Sequence, residues 1–103
     1  MNNKPSDREL LAKLTEIIVE ALLVSPDEVT PEARLFSDLK AESIDIVDIR
    51  FRTEHAFGFK IDQNAMMRSL GEGLSSTELD GRFTVGFLID YIKNRLASAE
   101  QPT

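Results

Sequence analysis

The segment Asp38-Leu39-Lys40-Ala41-Glu42-Ser43-Ile44-Asp45 puts a hydroxyl among carboxylates where a loop gives way to a helix. Ser43 there has two readings. It caps the helix, Ser being among the best capping residues. Alternatively it is a modification site, exposed on a rigid element whose N-terminus is a good seat for a phosphate. Periodicity alone leaves the cap ahead. No side chains form a catalytic constellation. His55 is the single histidine, and its nearest carboxylates share its helix, where they read as solvated surface. A triad needs a base, a nucleophile and a carboxylate in mutual reach. With no Cys in the chain, a thiol nucleophile, a disulfide framework and a Cys-built zinc site are excluded. Gly71-Glu72-Gly73 reads as a hinge between short helices. The acidic loop 27–32 lacks the alternating Asp/Asn ligands and the Gly of a calcium loop. The expectation is a protein that is not an enzyme and has no resident metal.

The elements that would position Ser43 follow from spacing. Ser6-Asp7-Arg8-Glu9 has the capping-box pattern. Leu10, Leu14, Ile17, Ile18 and Ala21 then mark one face of a helix over about 7–23. Pro26 and Pro31 rule out continuous helix from 24 to 34, so a long ordered loop follows, pinned by Val29, Leu35, Phe36 and Leu39. The second helix runs from Ser43 to Phe57. Its core stripe is Ile46, Ile49, Thr53, Ala56 and Phe57, widened by Val47 and Phe51. Asp45, Asp48, Arg52 and His55 face away. Asp48–Arg52 and Arg50–Glu54 are i,i+4 ion pairs, and Gly58 is the stop. Asp62 caps a short helix through Met66, Met67 and Leu70. Ser75 to Thr77 starts about one more turn through Leu79, and Asp80-Gly81 signals a turn. Thr84 caps a last helix carrying Val85, Leu88, Ile89, Ile92 and Leu96. The fold class is all-α: a small bundle of three main helices, one or two short ones and a long first loop.

At 103 residues and 11.6 kDa the chain is one domain. Its tails are about 1–5 and 98–103. Twelve Lys+Arg against eighteen Asp+Glu give a net charge of -6. That repels phosphate backbones, so nucleic acid is excluded as a general partner, and a basic protein partner is invited. No apolar run is long enough to span a membrane. There is no apolar signal region near the start. A cytoplasmic protein is expected.

Asp38-Leu39-x-Ala41-Glu42-Ser43-Ile44-Asp45 resembles the attachment motif of acyl carrier proteins, which commonly reads D-L-G-A/S-D-S-L-D. Ser25-Pro26-Asp27-Glu28-Val29-Thr30 resembles that family's first loop. Glu54-x-x-Phe57-Gly58-x-x-Ile61 resembles the end of its second helix, and Thr84-Val85 with Ile89-Asp90-Tyr91-Ile92 its last. Lys40 stands where Gly is usual, Glu42 where Asp is usual, and Ile44 where Leu is usual. Between Ile61 and Thr84 lie about ten residues more than compact members have.

The resemblance implies a covalent 4'-phosphopantetheine arm on Ser43. A phosphopantetheinyl transferase would install it from coenzyme A with Mg2+, and acyl groups would ride its thiol as thioesters. It implies partner recognition through Asp38, Glu42, Asp45, Ile46 and Asp48, with Arg50 and Arg52 as departures from an acidic helix. The partners would be acyl-ACP synthetase, ketosynthase or acyltransferase enzymes of fatty-acid or lipid biosynthesis. The acyl-pocket candidates are Val47, Phe51, Met66, Met67, Leu70 and Leu88. Unusual or very long chains are one cargo expectation, and a monomer is the expected state. Two alternatives stand beside this: an unmodified helical interaction module with a carrier-like fold, and a carrier for polyketide or peptide secondary metabolism.

Overall fold

The computed structural model describes residues 5–100. It contains five α-helices: α1 Asp7–Leu22, α2 Ser43–Phe57, α3 Gln63–Arg68, α4 Ser76–Arg82 and α5 Val85–Glu100. Each start has a local chemical cause. The Ser6 hydroxyl accepts the Glu9 N–H at 3.2 Å, and the Glu9 carboxylate accepts the Ser6 N–H at 2.8 Å. Ser75 and Glu78 repeat this box at α4. Asp62 accepts the Ala65 N–H at α3, and Thr84 accepts the Phe87 N–H at α5. Such bonds satisfy donors that a helix start cannot satisfy itself.

Leu10, Leu14, Ile17 and Ile18 of α1, Ile46 and Ile49 of α2, and Val85, Leu88, Ile89 and Ile92 of α5 meet in one core. The first loop is part of it. Val29, Leu35 and Leu39 are buried as expected, with Phe36 half-buried, and Ala33 and Ala41 join them. Backbone bonds tie this loop to the start of α5. Leu35 donates to Phe83 at 3.0 Å, Val85 to Ala33 at 3.0 Å and Gly86 to Pro31 at 2.8 Å. The long loop is therefore ordered by main-chain pairing as well as by its apolar anchors.

Several expectations are corrected. The stretch expected as a C-terminal tail is helical through Glu100, because α5 continues past Leu96. Residues 1–4 and 101–103 of the expected tails lie outside the described residues. Asp80-Gly81 is not a turn. Both residues are helical, and α4 runs on to Arg82, held by the Ser75–Glu78 box and by Asp80 accepting from Ser37. On α2 the buried residues are Ile46, Ile49 and Thr53 only. Phe51 is 57% exposed, because it sits two positions, about 200°, from both Ile49 and Thr53. Ala56 is also exposed, on an open groove with Lys13, Glu16 and Ile17 of α1. Gly71 has φ +135°, and a Cβ there would stand 2.8 Å from Arg82 Nη1. The backbone conformation at the turn between α3 and α4 thus favours glycine.

Candidate functional site

Ser43 is the first residue of α2 and is exposed. It is not the N-cap. Glu42 holds that position with extended backbone, φ -106° and ψ 169°. Asp45 closes the turn by accepting the Glu42 N–H at 2.8 Å. The cap reading of Ser43 is corrected for that reason: the carboxylate two residues on does the local bonding. The N–H groups of Asp45 and Ile46 donate to the Glu42 carbonyl. Those of Ser43 and Ile44 have no intrahelical acceptor and favour an anion beside them. Ser43 Oγ makes no hydrogen bond among the described residues. It is a free hydroxyl beside a positive helix end.

The segment leading to it is held firmly. Asp38 accepts from the Arg34 backbone N–H at 2.8 Å and from Arg34 Nε and Nη2 at 3.1 Å each. The Arg34 side chain, then its backbone N–H, holds the Asp38 carboxyl below its usual range. Ser37 donates both its N–H and its hydroxyl to Asp80 of α4. Lys40 has φ +63°, a left-handed conformation that glycine adopts without penalty. That gives a physical reason for the Gly usual at this place in the resembling motif.

The expected recognition residues fall into two groups. Asp38 is spent on Arg34, and Asp48 accepts from Arg52 Nε at 2.9 Å. Arg52 also reaches Glu20 of α1 at 3.0 Å. Glu42 is exposed, with no ion-pair partner among the described residues, and Asp45 is half-exposed. Ile46 is 4% exposed and belongs to the core, so it offers no surface to a partner. Ile44, 74% exposed, lies beside Ser43 and is not among the recognition residues expected from sequence. Its apolar type mid-motif conceals which way it points.

A small apolar cavity of about 20 Å³ lies between the helices, lined by Ile46, Ile49, Ile61, Met66, Leu88 and Ile92 among others. Of the expected pocket residues it takes Met66 and Leu88. Val47 and Phe51 of α2 and Met67 and Leu70 of α3 and its end lie off it. Phe51 instead lines the α1–α2 groove. The sequence reasoning missed Ile61, Phe83 and Tyr91 as lining. For Tyr91 the signal available is the apolar spacing of the last helix, which does not say what its residues face; Ile61 and Phe83 lie outside that helix.

Glu54 latches the α2–α3 connection over this cavity. It accepts the Ile61 N–H at 2.7 Å and an N–H of Arg50 at 3.2 Å. The Ile61 N–H, and secondarily Arg50, hold its pKa below the ordinary 4.5. A folded-state pKa below the unfolded one gives stability that is fully present above about 4.5 and lost as pH falls through the folded value. Asp38 and Glu78 are lowered too and act with the same sign. Thermal midpoints measured from pH 6 to 3 should therefore fall in acid. Glu54→Gln should be less stable at pH 6 and show a shallower fall. Parallel curves would show that the Glu54 charge contributes nothing.

Among the described residues no cluster of His, Asp or Glu is placed to hold a metal, and no helix is long and apolar enough to cross a membrane. The phosphopantetheine attachment site family matches residues 12–75. The acyl carrier protein of Thermotoga maritima is 35% identical over 91 residues, 88% of this chain and 96% of that protein. That of Amoebophilus asiaticus is 35% identical over 86% of this chain and 95% of its own length. The meromycolate extension acyl carrier protein of Mycolicibacterium aurum is 35% identical over 85% of this chain and 77% of its own length.

Proposed function

The chain belongs to the acyl carrier protein family and carries acyl groups on a covalent 4'-phosphopantetheine arm, and from that premise we propose that Ser43 is the attachment residue. The observation that carries this is its exposed Oγ, unused by any cap, at the first position of a 15-residue helix. The residues fit the group. The free N–H groups of the first turn favour the phosphodiester charge. Ser43 Oγ supplies the ester oxygen. Once bound, the arm supplies a thiol, which the polypeptide itself lacks.

The chain's own part is then to hold, orient and shelter, and it catalyses no reaction itself. The Arg34–Asp38 and Ser37–Asp80 bonds hold the approach to Ser43 in one conformation. Glu42 and Asp45 are the acids left to meet basic residues of a phosphopantetheinyl transferase and of acyl-handling enzymes. Asp48 and Arg52 neutralise each other, and Arg50 turns inward. Recognition therefore concentrates at the start of α2, with exposed Ile44 as its apolar contact. Cytoplasmic residence and a monomeric state belong to this reading.

The cargo would lie in the cavity between α2, α3 and α5. At about 20 Å³ it must open to admit a chain. Met66 in its wall, with half-buried Met67, Leu74 and Leu79 packed nearby, supplies adaptable apolar surface for that. A relative named for meromycolate extension supports a long-chain cargo. Intact mass after incubation with coenzyme A, Mg2+ and a broad-specificity transferase tests the attachment. One phosphopantetheinyl group should be gained. No gain here, together with an unmodified mass for protein from its native cells, would refute it.

A further inference from the structure

We propose that Arg50 binds the 4'-phosphopantetheine arm itself: its guanidinium donates to an amide carbonyl of the arm and so keeps the arm against α2. This rests on the attachment at Ser43 read above. Helical register gives the first reason. Seven residues of α-helix turn through about 700°, so Arg50 stands within about 20° of Ser43, on the same side of α2 and about 10.5 Å further along. Val47, half-buried and apolar, stands on that side between them. Ser43, Val47 and Arg50 therefore form one row, bordering the buried stripe of Ile46, Ile49 and Thr53. Arg52 lies on the opposite side of α2 from Ser43 and is spent on Asp48 and Glu20.

The donors give the second reason. Arg50 uses Nε on Gln63 of α3 at 3.0 Å and Nη1 on Glu54 at 3.2 Å. A guanidinium has five N–H donors, so a clamp between α2 and α3 leaves the others over. Nη2 has no acceptor among the described residues. No sealed polar side-chain atom there lacks a partner, and the Arg50 side chain is 21% exposed, so Nη2 is open to solvent. The exposed Phe51 ring lies 4.4 Å from Arg50 Cζ. Together with the two anchors it fixes the plane in which the spare donors point. The Arg50 stem lines the apolar cavity while its charged head stays at the surface. The start of α2 favours the phosphate at Ser43 itself, so the groups left for Arg50 further along the row are neutral carbonyls. A carbonyl only accepts, and a hydrogen bond from a charged donor is roughly twice as strong as a neutral one. Val47 supplies apolar surface beside it.

The test compares apo and holo protein by NMR, the holo form carrying an arm with 15N in its amides. Loading should shift the guanidinium signals of Arg50, assigned through its own backbone, more than those of Arg34 and Arg52. In wild type the order parameter of at least one arm amide should exceed about 0.6, below which flexible segments lie, and it should fall below that in Arg50→Met. Gln63→Ala loosens the tie between α2 and α3 but keeps every Arg50 donor, and should retain the wild-type order. Arg50 signals unmoved by loading would overturn the proposal, and that comparison needs no variant to fold. So would arm amides as mobile in wild type as in Arg50→Met. Equal loosening in Gln63→Ala would mark Arg50 as a clamp between helices only and overturn it too. Failure of Ser43 to accept any arm, seen in the mass beforehand, would strike the attachment reading itself and this inference with it.

Discussion

Ser43→Ala should abolish phosphopantetheinylation completely while leaving the fold nearly untouched. The functional half follows from chemistry: alanine offers no oxygen for the phosphodiester. The structural half follows from geometry. Were Ser43 the N-cap, its loss would cost about 0.5–2 kcal/mol. It is instead the first helical residue, exposed, with its hydroxyl unbonded, while Glu42 caps and Asp45 accepts the Glu42 N–H. Exposed substitutions away from such features stay within about 0.5 kcal/mol. For a domain this size that is at most about 4 °C in thermal midpoint. Intact mass and a melting curve on the same sample read both halves. A mass gain on the alanine variant would place the arm on another hydroxyl. A midpoint drop well beyond that range would return Ser43 to a structural role.

Phe83→Ala should be the most damaging single truncation outside the attachment segment. Phe83 is 1% exposed. Its ring packs against Phe36 of the first loop at 5.3 Å and Phe87 of α5 at 5.9 Å. Its carbonyl accepts the Leu35 N–H. One residue thus joins the end of α4, the first loop and α5. Truncating a buried Phe costs about 3–5 kcal/mol, against a total stability of about 5–15 kcal/mol. The midpoint should fall by at least about 12 °C. Denaturant unfolding of the variant checks this. A loss below about 1 kcal/mol would mean the first loop is held by its main-chain pairing without the ring.

Six residues before Ser43, Ser37 bonds to Asp80, and Arg34 bridges Asp38 at 3.1 Å and Asp80 at 3.8 Å. The segment carrying α4 is thereby attached to the approach to Ser43. The 43-residue separation of Ser37 and Asp80 is invisible to any local pattern. By contrast Asp48–Arg52 and Arg50–Glu54, four residues apart, were readable and both form.

What the sequence alone determined is what depends on near neighbours. Capping boxes at Ser6 and Ser75, the Thr84 cap and the 3.6-residue spacing of Leu10, Leu14, Ile17 and Ile18 are interactions within a few residues, and they set the helices. The attachment motif is likewise one short segment, so the family was legible. The tertiary structure decided what depends on distant partners. Phe51 turned outward because the core lies on the Ile46–Ile49–Thr53 line. Asp80 went to Ser37, 43 residues away. Above all, that Ile46 of α2, Met66 of α3 and Leu88 of α5 meet around one cavity was not readable, because these helices come together only when burial of their apolar faces brings them there.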